Sequence, residues 1–139
     1  MSYKNEMNLK FMSLNENESF ARLAVASFCS CRPIDIDVLS DIKTAVSEAV
    51  TNCVVHAYPE SVGEIEINVI ISDSQVTIKI TDFGVGIDDV AEALKPFYTS
   101  KPEMERSGMG FTVMEGFMDK MEVESGKGKG TSVILIKNF

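Results

Sequence analysis

Ile65-Glu66-Ile67-Asn68-Val69-Ile70-Ile71, a turn at Ser72-Asp73-Ser74, and Val76-Thr77-Ile78-Lys79-Ile80-Thr81 running into Asp82-Phe83-Gly84-Val85-Gly86 decide the fold of this chain. β-branched residues alternate on both sides of the turn, so Ile65, Ile67 and Val69 share one face, as do Val76, Ile78 and Ile80. Two such runs around a short polar turn predict an antiparallel hairpin, its first strand spanning 64–71. The second strand ends on an acid followed by two glycines, Gly84 and Gly86, which let the backbone turn sharply and approach a flat ligand. The Asp82 carboxylate can accept hydrogen bonds from an exocyclic amine such as that of adenine. Taken alone, the same residues also read as an ordinary Asp-Gly turn.

Upstream, Leu39, Ile42, Val46, Ala49, Val50 and Cys53 recur at helical spacing. They predict a helix that starts from candidate caps Asp35 or Asp37 and runs to about Ala57, where Pro59 prevents continuation. Glu48, Asn52 and His56 follow one another a turn apart on one helix face. A solvated polar face looks the same, but Asn is a poor mid-helix residue. Its amide oxygen suits Mg²⁺, which takes one or two protein oxygens together with waters and phosphates. Glu48 is then placed to take a proton from an attacking hydroxyl or water. His56 reads as a helix-end cap. Nearer the start, Met7 to Leu14 loosely alternates as a first strand. Phe20, Leu23, Ala24, Ser27 and Phe28 form the stripe of a first helix, with Asn17 as its candidate cap and an end before Pro33.

Downstream, Asp88 to Ala93 predicts a short helix. Leu94 to Gly108 holds Pro96 and Pro102 without a clear period and reads as a mobile loop. Thr99, Ser100 and Lys101 in that loop are candidates to reach phosphates. Ser107-Gly108-Met109-Gly110 leads into a helix through Met118, and free N–H groups at a helix start attract phosphate. A simple loop-to-helix hinge would use the same glycines. Met121 to Glu124 and Thr131 to Ile136 form a last hairpin around Gly126, Gly128 and Gly130, with the Thr131 hydroxyl near the proposed base. The expected architecture is α+β, a two-layer α/β sandwich whose mixed, largely antiparallel sheet is covered by helices.

Length and composition bound the function. The 139 residues, 45% apolar and 24% charged, predict one domain over 1–139 with a real core. A formal charge of −8 argues against direct nucleic-acid binding, which needs Lys and Arg against phosphates, and leaves room for a basic protein partner. The start lacks an apolar signal region and no window approaches the ~20 apolar residues of a membrane span, so no membrane partner and a cytoplasmic location are expected. Cys29, Cys31 and Cys53 fit a reducing compartment; with one His and no second Cys pair, Cys29-x-Cys31 reads as ordinary thiols and not as a zinc site.

Asn52, Asp82 to Gly86 and Gly108 to Gly110, in this order, resemble the N, G1 and G2 boxes of the GHKL superfamily of gyrase, Hsp90, histidine kinases and MutL, whose ATP pocket is the Bergerat fold. Asp82-Phe83-Gly84 also imitates the magnesium triplet of eukaryotic-type protein kinases, but their His-Arg-Asp loop and strand lysine are missing. Asn17-Glu18-Ser19-Phe20-Ala21-Arg22, Ser47-Glu48-Ala49-Val50-Thr51-Asn52, Phe97-Tyr98-Thr99-Ser100-Lys101-Pro102-Glu103 and Glu105-Arg106-Ser107-Gly108-Met109-Gly110-Phe111 narrow the likeness. They resemble the anti-sigma F factor family of endospore-forming bacteria, which are protein serine kinases. That resemblance implies a homodimer that binds sigma F and phosphorylates a serine of an anti-anti-sigma factor with ATP and Mg²⁺. It implies Glu48 as the catalytic base, Asn52 as the Mg²⁺ ligand and Asp82 as the adenine reader. Gly84, Gly86, Gly108, Met109 and Gly110 then shape the pocket. Glu18 and Arg22 match the sigma-binding surface, and Arg106 the contact with the anti-anti-sigma factor. A related stress-response anti-sigma kinase would share this chemistry, and a non-catalytic nucleotide-gated binding module would share the pocket.

Overall fold

In the computed structural model, which describes residues 2–95 and 110–139, the strands are β1 (Asn5–Met12), β2 (Glu64–Ile71), β3 (Gln75–Asp82), β4 (Lys120–Ser125) and β5 (Thr131–Asn138). The helices are α1 (Glu16–Cys29), α2 (Ile36–Asn52), α3 (Val90–Ala93) and α4 (Gly110–Phe117). The strands form one sheet in the order β1-β2-β3-β5-β4, and the helices pack on it as the α+β reading requires. All four pairings are antiparallel, where a mixed sheet was expected. Strands β2–β3 and β4–β5 are hairpins, and the helical excursions before β2 and β4 return the chain in the opposite sense, so no parallel crossover is required.

The central hairpin carries the core. Ile65, Ile67, Val69 and Ile71 of β2 and Val76, Ile78 and Ile80 of β3 are buried against Ile42, Val46 and Val50 of α2. Each such side chain contributes roughly 1.5–3 kcal/mol by leaving water. Ala45 and Ala49 keep α2 close to its neighbours. Asp35 occupies the cap position of α2 through its extended backbone, without a side-chain cap bond, while Asp37 lies in the first turn, where its charge complements the helix dipole.

Two details of the first helix differ from expectation. Asn15, not Asn17, precedes α1; the Asn17 amide instead donates to the Met12 carbonyl at 2.9 Å. The face of α1 turned to the core is Ala21, Val25 and Cys29, all fully buried, while Phe20 and Leu23 of the expected stripe are 50% and 56% exposed. Small residues allow α1 to approach α2 closely, and the larger side chains are displaced outward. Phe20 still meets the Phe11 ring edge-on at a centroid distance of 6.3 Å.

Beyond Asn52, α2 does not continue as an α-helix to Ala57. It widens into one π-helical turn, Cys53–Ala57. Such turns recur where a helix borders a functional site, and this one stands beside the loop that follows β3.

Candidate active site

A cavity of about 350 Å³ opens between α2 with its π turn, the loop after β3, the start of α4 and the β4–β5 turn. Ala49, Asn52, Cys53, His56 and Ala57 line it from one helix face, at spacings of three and four residues. The opposite walls include Asp82, Val85 and Gly86, then Gly110 and Thr112, then Lys127 and Thr131. Of the residues singled out in the sequence, the cavity therefore brings together Asn52, Asp82, Gly86, Gly110 and Thr131. Gly84 lies just behind the wall. A Cβ there would collide with the Ala57 carbonyl, which also accepts the Val85 N–H at 2.9 Å.

At one end of the cavity a set of hydrogen bonds ties the walls to one another. Asp82 is 5% exposed, and its Oδ1 accepts the Gly84 N–H at 3.0 Å and the Thr131 N–H at 3.2 Å. Burial raises the pKa of this carboxyl, while those two N–H groups and the Cys53 thiol oppose the rise. The Tyr58 hydroxyl accepts the Phe83 N–H at 2.7 Å and donates to the Glu64 carbonyl at 2.6 Å. The Ser125 hydroxyl accepts the Ile87 N–H at 2.7 Å, donates to the Gly130 carbonyl at 2.9 Å and meets the Thr131 hydroxyl at 2.7 Å. The Thr131 side chain is thus engaged with Ser125, and its main-chain N–H is what reaches Asp82. The Gly128 N–H closes onto the Val85 carbonyl at 2.6 Å. Gly86 and Gly130 both have φ near +77°, at +76° and +77°, and a Cβ on Gly130 would run into the Asp82 carbonyl. Glycine is required there by conformation and by space together.

The other end is built differently. Gly110, the first residue of α4, passes over α2 so closely that a Cβ on it would stand 3.1 Å from Asn52 Oδ1 and 3.4 Å from Glu48 Oε2. Asn52 faces the cavity. Glu48, one turn earlier, also lines a shallow groove on the α1–α2 surface with Arg22, Lys43, Thr44 and Ser47. Its carboxylate therefore lies between the cavity and that groove. Next to it, the Ser47 hydroxyl donates to Glu18 Oε1 at 2.8 Å. Glu18 Oε2 and Arg22 Nε are 3.4 Å apart, an ion pair without hydrogen-bond geometry, and an Arg22 terminal nitrogen donates to Ser19 Oγ at 3.3 Å. Glu18 and Arg22 thus share one turn of α1 beside the groove. Thr99, Ser100, Lys101, Arg106, Gly108 and Met109 lie outside the described residues.

Sequence reasoning missed several contributors. Tyr58 and Ser125 show no local signal, because their partners lie far along the chain. Lys127 sits in a glycine turn whose approach to the cavity depends on the sheet. Cys53 and His56 are legible as members of the helix face, where the sequence pattern assigns them to the core and to a cap.

The sequence profile of the histidine kinase-like ATPase domain matches residues 11–137. The chain is 56% identical to an anti-sigma F factor of Clostridium botulinum, over 99% of this chain and 96% of that one. It is 53% identical to an anti-sigma F factor of Caldanaerobacter subterraneus subsp. tengcongensis and 52% to that of Clostridium acetobutylicum, over 99% and 98% of this chain and 96% and 95% of theirs. The chain belongs to the anti-sigma F factor family. The crystal structure of the RsbU and RsbW domains of a Mycobacterium tuberculosis protein superposes with a TM-score of 0.69 at 18% identity, over 96% of this chain and 31% of that one, and shares its fold. Family membership makes the protein an anti-sigma factor on a kinase-type ATPase domain, and ATP binding comes with that domain. No helix among the described residues is long and apolar enough to cross a membrane.

Proposed function

We propose that this anti-sigma factor holds sigma F and, with MgATP, phosphorylates a serine of its anti-anti-sigma factor, thereby controlling sporulation transcription. The observation that supports the kinase reading is the position of Glu48, which lines the shallow groove on the α1–α2 surface and stands near Gly110 at the wall of the nucleotide cavity. A module that only senses nucleotide needs no acid at that meeting point. The names of the relatives support sigma F as the target.

Asp82 reads the adenine amine, with Gly84 and Gly86 letting the backbone come close to the base. Asn52 Oδ1, which Gly110 passes closely, is the protein ligand for magnesium, and Gly108, Met109 and Gly110 meet the phosphates. Thr99, Ser100 and Lys101 are assigned to the γ-phosphate. One amide oxygen suffices for the magnesium site, because Mg²⁺ takes one or two protein oxygens together with waters and phosphates. When bound, Mg²⁺ neutralises phosphate charge. Glu48 takes the proton of the incoming serine hydroxyl as that oxygen attacks the γ-phosphorus of ATP and the bond to the departing ADP breaks; transfer otherwise relies on alignment. Thr131 supports the base end through its N–H on Asp82.

Glu18 and Arg22 form the sigma-binding surface, and Arg106 meets the anti-anti-sigma factor. Exposed Met12, Leu14, Phe20 and Leu23, next to the edge strand β1, support a homodimer, since apolar side chains gathered at a sheet edge favour self-association. Incubation with labelled ATP, Mg²⁺ and a purified anti-anti-sigma factor tests the kinase reading. Serine-bound label is expected. ATP binding with no transfer would leave a nucleotide-gated binding module, and label appearing only on a stress-response homologue would reassign the partner.

A further inference from the structure

Lys137 lies near the end of β5, on the face that Val133 and Leu135 bury against the helices. Its side chain is only 13% exposed. The ammonium donates to the carbonyl of Phe117, the last residue of α4, at 2.6 Å, and to Asp41 Oδ2 of α2 at 3.0 Å. One cation thus joins β5 to both helices. The last carbonyls of a helix have no helical donor, and the negative end of its dipole lies there. Without Lys137, the Phe117 carbonyl and the Asp41 carboxylate would be two acceptors with no donor between them. The main chain on either side of Lys137 is also held. The Asp119 N–H donates to the Ile136 carbonyl at 2.9 Å, and Asp119 Oδ2 accepts the Asn138 N–H at 2.6 Å.

At the opposite end of α4, Gly110 passes Asn52 and Glu48. With Phe117 tied to Asp41 and Gly110 over Asn52, α4 lies antiparallel along α2. Asp41, Ala45, Glu48 and Asn52 recur at spacings of four, three and four residues, so they share one face of α2, about 16 Å from end to end. The α4 helix has eight residues, so a shift at its last carbonyl is carried to its first residue. We propose that Lys137 is a positioning residue for the phosphate end of the nucleotide site. By clasping the end of α4 to Asp41 it sets where the start of α4 stands along α2, and with it the spacing of the Gly110 backbone from Asn52 and Glu48. The inference rests on the reading that the phosphates lie at the start of α4. Loss of the clasp should fall on the phosphate end. The base end hangs on bonds between the loop after β3 and the β4–β5 turn that Lys137 does not share.

Calorimetric titration of the full chain with adenosine and with MgATP, together with kcat for transfer to the anti-anti-sigma factor, tests this below the melting range of each variant. The variants are Lys137→Met, Lys137→Arg, Asp41→Ala and the double change Lys137→Met with Asp41→Ala. Methionine keeps the apolar stem and removes the charge. Asp41 is 32% exposed, so Asp41→Ala decides the matter where Lys137→Met fails to fold. Lys137→Met should lower kcat about tenfold to 100-fold, as misplacement of reacting groups does. It should weaken MgATP and leave adenosine affinity unchanged, and Lys137→Arg should restore most of the loss. Asp41→Ala should act in the same direction, and the double change should cost no more than Lys137→Met alone, because both residues act through one clasp. A lowered unfolding midpoint with kcat and MgATP affinity unchanged, or equal losses for adenosine and MgATP, would reduce Lys137 to a packing contact. A wild-type chain that binds MgATP no more tightly than adenosine would overturn the placing of the phosphates, and with it this role. A wild-type chain that favours MgATP but transfers nothing would sink the kinase reading alone, and the contrast between the two ligands would still decide for or against Lys137.

Discussion

The two ends of the cavity are held in different ways. At the Asp82 end, Gly84, Thr131, Phe83, Ile87 and Gly128 all spend main-chain N–H groups on contacts between the loop after β3, the β4–β5 turn and the region around Tyr58. At the Glu48–Asn52 end, two side chains stand on one helix face under a glycine. The first end is part of the fold, and its geometry is set before a ligand arrives. The second is an arrangement of side chains that the fold merely carries. Changes at the second should therefore affect chemistry and spare stability, and changes at the first should affect both.

The largest effect belongs to the side-chain end. Glu48→Gln keeps the shape and loses the base, so transfer to the acceptor serine should fall about 10²–10⁴-fold while MgATP affinity and the unfolding midpoint stay unchanged. Near-normal transfer would remove Glu48 from the reaction. Next comes the stabilisation given by ligand. At 100 times its dissociation constant MgATP adds roughly 2.7 kcal/mol to the folded state. In a thermal scan Asp82→Asn should lose most of that rise with or without metal. Asn52→Ala should lose only the part that depends on Mg²⁺, and equal metal dependence in Asn52→Ala and the wild type would place the ligand elsewhere.

Backbone substitutions separate the ends further. Gly130→Ala forces a side chain into the left-handed region and against the Asp82 carbonyl, and should cost at least the roughly 1–3 kcal/mol of such strain in urea unfolding. Gly128→Ala, with a similar φ of +74° but open space around it, should cost less. Equal losses would mean that conformation alone, and not the close approach to Asp82, makes Gly130 necessary.

The smallest effect is a pH dependence. Burial raises the Asp82 pKa, so in the window between the ordinary and the raised value the folded chain holds more protons than the unfolded one. Stability without ligand then falls as pH rises through that window and stays lowered above it. Subtracting the Asp82→Asn profile from the wild-type profile isolates this slope. A flat difference would show that the N–H donors offset burial completely.

Much of this molecule is local. Alternation at Ile65, Ile67, Val69, Val76, Ile78 and Ile80 specified the central hairpin, because a half-buried strand needs a period of two and the turn at Ser72-Asp73-Ser74 allows no longer connection. Helical spacing likewise placed Glu48 and Asn52 on one face, and Asp82 at a strand end before its glycines. Two features escape that reading because they depend on partners far along the chain. The inward face of α1 was decided by how closely Ala21, Val25 and Cys29 let it approach α2, against the pull of the larger Phe20 and Leu23. The widening at Cys53–Ala57 accompanies the docking of the loop after β3 on the Ala57 carbonyl.

The sequence by itself determined which elements form and which residues carry acid, amide and glycine, since these follow from periodicity and residue chemistry within a few turns. Only the tertiary structure decided that Thr131 meets Asp82 through its main chain and that Ser125 and Tyr58 fasten the loop after β3. Those contacts span 25 to 49 residues of separation and exist only once the sheet register has brought their elements together.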